Sequence, residues 1–179
     1  MALTPSTMLP LGTRAPDFRL PDAVSGDEVS LSDFASAKAL VVMFICNHCP
    51  FVVHVKDGLA KLGADYADNG DVALVAISAN DVTTHPQDAP DKMKTFAEAN
   101  GFRFPYLYDE SQAVAKRYTA ACTPDFFLFD ADRKLVYRGQ FDGARPSNDV
   151  PVTGEDLRRA IDHLLAGQSI EDDQKPSMG

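Results

Sequence analysis

Hydrophobic positions change their period several times along the chain, and each change marks an element. Phe18 and Leu20, then Val29 and Leu31, flank the turn-forming Ser25-Gly26-Asp27. That pattern predicts a β-hairpin between Asp17 and Phe34, with Pro21 at a strand end or edge. Leu40-Val41-Val42-Met43-Phe44-Ile45 is an unbroken apolar run with β-branched members, the mark of a strand covered on both faces. Phe51, Val55, Leu59, Leu62 and Tyr66 then recur at helical spacing up to Asn69-Gly70. Val72 to Ile77 is a second buried-strand run, and the polar stretch from Ser78 to Asp91, with Pro86 and Pro90, reads as a loop. Met93, Phe96 and Ala97 place an apolar stripe on a short helix ending at Gly101.

A short strand over 104–108 and a short helix through Val114, Ala115 and Tyr118 follow. Phe126-Phe127-Leu128-Phe129, the turn Asp130-Ala131-Asp132-Arg133 and Leu135-Val136-Tyr137 predict a second hairpin. A last helix carries Leu157, Ile161, Leu164 and Leu165 on one face, with Thr153 placed to cap it and Gly167 to close it. The order predicts an α/β protein with a mixed central sheet flanked by helices. Residues 1–15 read as an arm, 16–168 as a single domain, and 169–179 as a polar, mobile tail.

Composition narrows the functions open to this fold. The 179 residues carry a net charge of −9, so phosphate backbones and anionic lipid are repelled, and neither nucleic acid nor a membrane is expected as partner. No apolar run approaches the roughly 18 residues of a membrane span. The start of the chain lacks a basic segment followed by an apolar one, which leads us to expect a cytoplasmic protein. Three cysteines are too few for a disulfide framework.

Two of those cysteines carry the chemistry. Cys46-Asn47-His48-Cys49 follows the first buried strand and opens the helix after it. A thiolate is the reactive form, and a free thiol with a pKa of about 8.5 is mostly protonated at neutral pH. The unpaired N–H groups and positive dipole end of a helix N-terminus stabilise such an anion. Two intervening residues let the sulfurs close a disulfide, and Pro50 suits a first helical turn.

A strand, a C-x-x-C at a helix start, and a distant Thr123-Pro124 before an antiparallel hairpin resemble the thioredoxin fold. The blocks Ala15-Pro16-Asp17-Phe18, Cys46-Asn47-His48-Cys49-Pro50-Phe51-Val52, Ser78-Ala79-Asn80-Asp81, Cys122-Thr123-Pro124-Asp125 and Pro151-Val152-Thr153-Gly154 resemble the peroxiredoxin-like redoxin family. That is the C-x-x-C branch of the alkyl-hydroperoxide-reductase and thiol-specific-antioxidant superfamily. The resemblance implies a thioredoxin-like (glutaredoxin-type) three-layer fold with an N-terminal β-hairpin extension. It also implies a cis Pro124, with the backbone before it docking an extended substrate beside the cysteines. Asn47, Thr123 and Pro124 become candidate substrate-binding residues, and Cys46, Cys49 and His48 candidate catalytic ones. Thioredoxin carries a buried acid at the position of Leu40, so an internal base must come from elsewhere, and Asp81 is a candidate.

The resemblance implies thiol–disulfide exchange. Cys46 attacks a substrate disulfide and Cys49 resolves the intermediate, with His48 favouring the thiolate. The expected partners are a protein or small-molecule disulfide or thiol and a separate electron donor; no cofactor or metal is required. Three alternatives compete. A peroxidase needs Pro and Thr upstream of its cysteine, but those positions hold Ala39 and Met43 for Cys46, and Val42 and Cys46 for Cys49. Zinc could draw on Cys46, His48, Cys49 and His54. A non-catalytic binding module is the third. Cys122 is either a third redox thiol or a small buried hydrophobe, and Asn80 and Asp81 lie where a strand ends, as auxiliary candidates. His54 and His85 read as surface and loop residues, and Arg145 as an exposed ion-pair partner.

Overall fold

The structure, a computed structural model, describes residues 3–179; Met1 and Ala2, the first residues of the predicted arm, lie outside them. A hairpin of β1 (Arg19–Pro21) and β2 (Glu28–Ser30) precedes β3 (Ala39–Phe44), α1 (Pro50–Tyr66), β4 (Val72–Ser78) and α2 (Pro90–Ala99). Then come β5 (Tyr106–Tyr108), α3 (Ala113–Tyr118), β6 (Asp125–Phe129), β7 (Leu135–Gly139) and α4 (Glu155–Leu165). The main sheet runs β5-β4-β3-β6-β7, parallel on the β4 side of β3 and antiparallel on the β6 side. This is the expected mixed thioredoxin-like sheet.

Alternation along β3 explains the three layers. Val41 and Met43 face Val52, Val55 and Leu59 of α1 and Leu157 and Ile161 of α4, while Leu40, Val42 and Phe44 face Val114 and Tyr118 of α3. All six β3 residues are buried, which is why its sequence is continuously apolar. In register, Phe44 lies opposite Ile77 on one side and Asp125 on the other. That pairing sets Thr123-Pro124 beside the chain just after β3, where the cysteines begin. Among the described residues no helix is long and apolar enough to cross a membrane.

The sheet edges are covered by chain that the sequence left irregular. On one edge Asp22, just after β1, bridges Leu107 of β5 and accepts the Tyr106 N–H through its carboxylate. On the other, the arm pairs with the start of β7, Gly12 N–H donating to Leu135 O and Leu135 N–H to Thr13 O. The tail differs from the mobile segment expected. Gln140 donates its N–H to Lys175 O, and Gln174 bonds the backbone of Val136 and Arg138. Gly139 is required there, because a Cβ would overlap the Lys175 carbonyl. Thr4 and Gly179 exchange two backbone hydrogen bonds, Ser6 N–H donates to Ser177 O, and the Ser177 hydroxyl donates to Pro124 O. These long-range contacts leave no local pattern, so the polar composition alone suggested mobility.

The start of α4 is also built differently. Gly154, at φ +69, is the capping residue and offers no side chain, and a Cβ there would overlap the Phe141 ring. Asp142 supplies the missing cap: its carboxylate accepts the N–H groups of Thr153 (2.8 Å), Gly154 (2.6 Å) and Ala144 (2.9 Å). Thr153 therefore does not cap. Leu165 is exposed and stands off the face formed by Leu157, Ala160 and Ile161. Asp142→Ala should lower unfolding free energy by about 3 kcal/mol, since three backbone donors, those of Ala144 and Gly154 buried, lose their acceptor. Urea titration at neutral pH measures this, and a loss below about 0.5 kcal/mol would contradict the cap.

Candidate active site

β3 hands over to the cysteines without slack. Ile45 N–H still donates to Ile77 O at 3.0 Å, so Cys46 starts from a fixed point at the end of the sheet. Cys49 is the capping residue of α1, with extended backbone; Pro50 takes the first helical position, and Val53 N–H donates to Cys49 O. Across from them the Thr123–Pro124 peptide is cis. Thr123 meets both sulfurs: its hydroxyl lies 3.3 Å from Cys46 Sγ, and its carbonyl accepts from Cys49 Sγ at 3.3 Å.

The two thiols sit in unlike surroundings. Cys46 is 1% exposed, whereas Cys49 is only half-buried. A hydrogen bond with Cys49, burial and the negative charge of Asp88 push the Cys46 thiol up. Cys49 is pulled down to about 5, first by the hydrogen bond from Cys46 and then, against its burial, by the N–H groups of Phe51 and Val52 and by Thr123. Cys122 is half-buried, its Sγ 3.7 Å from Pro124 O, and burial followed by the charge of Asp125 pushes it up to about 12. All three cysteines are free thiols.

A buried acid stands beside the pair, from a place the sequence did not suggest. Asp88 closes the 3-10 turn Pro86–Asp88 inside the loop before α2, and it is fully buried. Its carboxylate accepts Asn47 N–H at 2.8 Å and the Asn80 side-chain amide at 2.8 Å. His48 Nδ1 lies 2.6 Å from the same carboxylate, a close contact off the line of an aligned hydrogen bond. The His48 ring stacks on His85 at 4.9 Å, so His85 is more than a loop residue. Asn47 completes the arrangement, giving its amide to Gln87 O and receiving the Tyr106 hydroxyl. Asn80 thus joins the cluster through Asp88. Asp81, the suggested base, is exposed and spent on the N–H and hydroxyl of Thr83. Leu40, at the thioredoxin acid position, is packed in the core. Among the described residues Arg145 has no ion-pair partner; it bonds the carbonyls of Asp142 and Ala144 and the side chain of Gln140.

Possible metal ligands gather differently from the sequence proposal. Cys46, His48 and Asp88 each offer an atom within 4.8 Å of the others, while Cys49 and His54 fall outside that group. Both Asp88 oxygens already accept amide hydrogens, so the trio reads as a hydrogen-bonded hub and not as a cation cage. Beyond Thr123 an open cleft of about 400 Å³ is lined by Phe44, Asn80, Gln112, Lys116, Cys122 and Thr123.

Residues 11–138 match the model of the AhpC/TSA family. The chain belongs to the AhpC/TSA family. Membership makes it a thioredoxin-fold redox protein, of either the oxidoreductase or the peroxidase kind. Among its relatives, an uncharacterized conserved protein from Geobacillus kaustophilus is 54% identical over all of this chain and 94% of that one, with a TM-score of 0.97. A hypothetical protein, SMc02350, from Sinorhizobium meliloti 1021 is 51% identical over 97% of this chain and 94% of its own, with a TM-score of 0.94. A curated Mycobacterium tuberculosis relative, "Putative peroxiredoxin Rv2521", is 32% identical over 119 residues, 66% of this chain and 69% of that protein. The thioredoxin domain of the thiol-disulfide oxidoreductase BVU-2223 from Bacteroides vulgatus shares the fold, superposing with a TM-score of 0.63 at 19% identity and covering 84% of this chain and 97% of its own.

Proposed function

We propose that this AhpC/TSA protein is a thiol–disulfide oxidoreductase whose Cys46 and Cys49 cycle between dithiol and disulfide. The observation that carries the reading is the convergence of both sulfurs on Thr123, each at 3.3 Å, at the head of α1. One sulfur attacks a substrate disulfide, and the other displaces the bound half and leaves the pair oxidised. Thr123, Pro124 and Asn47 line the approach and would hold the extended segment flanking the substrate disulfide. The electrons reside in the sulfurs, so no cofactor takes part. A separate dithiol donor returns the pair to the reduced state. A chain with three cysteines and an acidic surface suits the cytoplasm and a soluble disulfide partner, with neither nucleic acid nor membrane involved.

Equilibrating the protein over a thiol–disulfide series, trapping free thiols and weighing the products tests this. Two of the three thiols should disappear together in a two-electron transition. The midpoint then places the pair against the thioredoxin value of about −270 mV. Three thiols that stay free throughout would end the reading.

A peroxidase is the second reading, favoured by the peroxiredoxin name of the mycobacterial relative. In the register that makes Cys49 the peroxidatic residue, Cys46 stands where a hydroxyl would hold the peroxide. Its buried thiol is a weaker donor, so reaction with hydrogen peroxide is expected to be slow in stopped flow.

A further inference from the structure

Resting on the exchange reading and narrowing its substrate, we infer that the cleft beside Thr123 is a binding subsite for a low-molecular-weight peptide disulfide, held through a carboxylate at Lys116.

The cleft and the cysteine pair share one residue. Thr123 lines the cleft and also places its hydroxyl 3.3 Å from Cys46 Sγ. Phe44 and Ile77, near the ends of β3 and β4, supply buried apolar surface. The rest of the lining comes from α3, from the loop after β4 and from the loop before β6. Gln112 ties the first two together, its side-chain amide donating to Ala79 O at 2.9 Å. It does so from the left-handed region, at φ +63, where residues other than glycine are uncommon. The volume of about 400 Å³ falls within the roughly 300–1,000 Å³ of small-molecule pockets.

Polar groups of the lining select the ligand. Among the described residues Lys116 is the only charged side chain lining the cleft, in a chain of net charge −9, and it has no ion-pair partner. An unpaired ammonium group is complementary to a carboxylate. Asn80 and Gln112 spend their side-chain nitrogens on Asp88 and Ala79, and among the described residues no protein group donates to their side-chain oxygens. Those oxygens suit the N–H of an amide or ammonium group. A cation, two acceptors and an apolar surface match one half of a peptide disulfide, with its carboxylate, its N–H groups and its aliphatic stem. The segment flanking the disulfide, lying along Thr123, continues into the cleft. The exchange itself is unchanged: the thiol pair gives up two electrons and two protons and closes its own S–S bond. The substrate S–S bond breaks, and two small thiols leave.

Binding is tested without turnover. Reduced, 15N-labelled protein is titrated with S-methylglutathione, an unreactive tripeptide thioether, and the amide shifts are followed by NMR. Shifts are expected at Asn80, Gln112, Lys116 and Ala121, with Kd at least about fivefold weaker in Lys116→Glu. Shifts confined to Asn47, Cys49 and Thr123, or an unchanged Kd in Lys116→Glu, overturn the assignment. Turnover then tests selection. Lys116→Glu should raise KM for oxidised glutathione at least about fivefold and lower it for cystamine, which carries two ammonium groups and no carboxylate. Lys38→Glu makes the same change of net charge at the other end of β3. An equal rise in KM there would assign the effect to net charge and overturn the role of Lys116. Failure of the redox titration would remove the exchange reading and leave the bound analogue in the cleft, whereas failure to bind removes the cleft and leaves the exchange reading intact.

Discussion

Cys49→Ser protein should reduce a disulfide substrate at least about a thousandfold more slowly than wild type, a loss of about 4 kcal/mol in transition-state stabilisation. Cys46→Ser should lose steady turnover to a similar extent, because both sulfurs meet Thr123 and either substitution leaves one thiol at the site. A single remaining thiol can form a mixed disulfide with the substrate, but no second sulfur stands beside it to displace the bound half. Mass spectrometry after a single substrate addition reads the trapped mixed disulfide directly. A Cys46→Ser protein that turned over at the wild-type rate would remove the pair from the mechanism. Cys122→Ser should keep the wild-type rate, since Cys122 bonds to Pro124 O and meets neither sulfur of the pair within hydrogen-bond distance.

Asp125→Asn should make the protein more stable at pH 8 and should flatten the dependence of stability on pH. Asp125 is 1% exposed; one carboxylate oxygen accepts the Ser6 hydroxyl and the Phe126 N–H, while the other is buried without a partner. Burial, opposed by Ser6 and the Phe126 N–H, raises its pKa to about 7, against 3.8 for the unburied carboxyl. A group whose folded pKa is raised contributes stability that is fully present below its unfolded pKa. That contribution is lost as pH rises toward about 7, because the unfolded chain releases its proton first. The span from 3.8 to about 7 corresponds to at most about 4 kcal/mol. Asparagine offers a neutral acceptor to Ser6 and Phe126 and does not titrate. Urea titrations from about pH 5 to about pH 8 on both proteins isolate the difference. Parallel curves would show that Asp125 is ionised and satisfied by groups that open around it.

Much of this protein is legible from local pattern. The apolar run at Leu40–Ile45, the helical spacing from Phe51 to Tyr66 and the hairpin around Asp130–Arg133 each report an element through its own residues. The cysteines were legible because their place between strand and helix is a local fact. The acid beside them was not. Asp88 stands between two prolines in a polar stretch, where Asp is ordinary turn chemistry. Only the closing of the loop over Asn47 buries it. Asp142 was hidden for a related reason: it caps α4 from outside the helix, and Thr153 offered a plausible local cap. The exposure of the two cysteines could not be read either, since both belong to one short motif and differ only in what lies over them.

The clasp between Thr4–Ser6 and Ser177–Gly179 joins segments far apart in sequence, 171 residues for Ser6 and Ser177, so its contacts close a very long loop. Such contacts gain little until the sheet between them has formed, which places the clasp last in folding and first in local opening. Ser177 rests on Pro124 O, and the end of the chain packs against Thr123. The peptide that contacts both sulfurs is thus bordered on its outer side by the region expected to show the least hydrogen-exchange protection, and breathing there exposes Thr123 while β3, β4 and β6 remain intact.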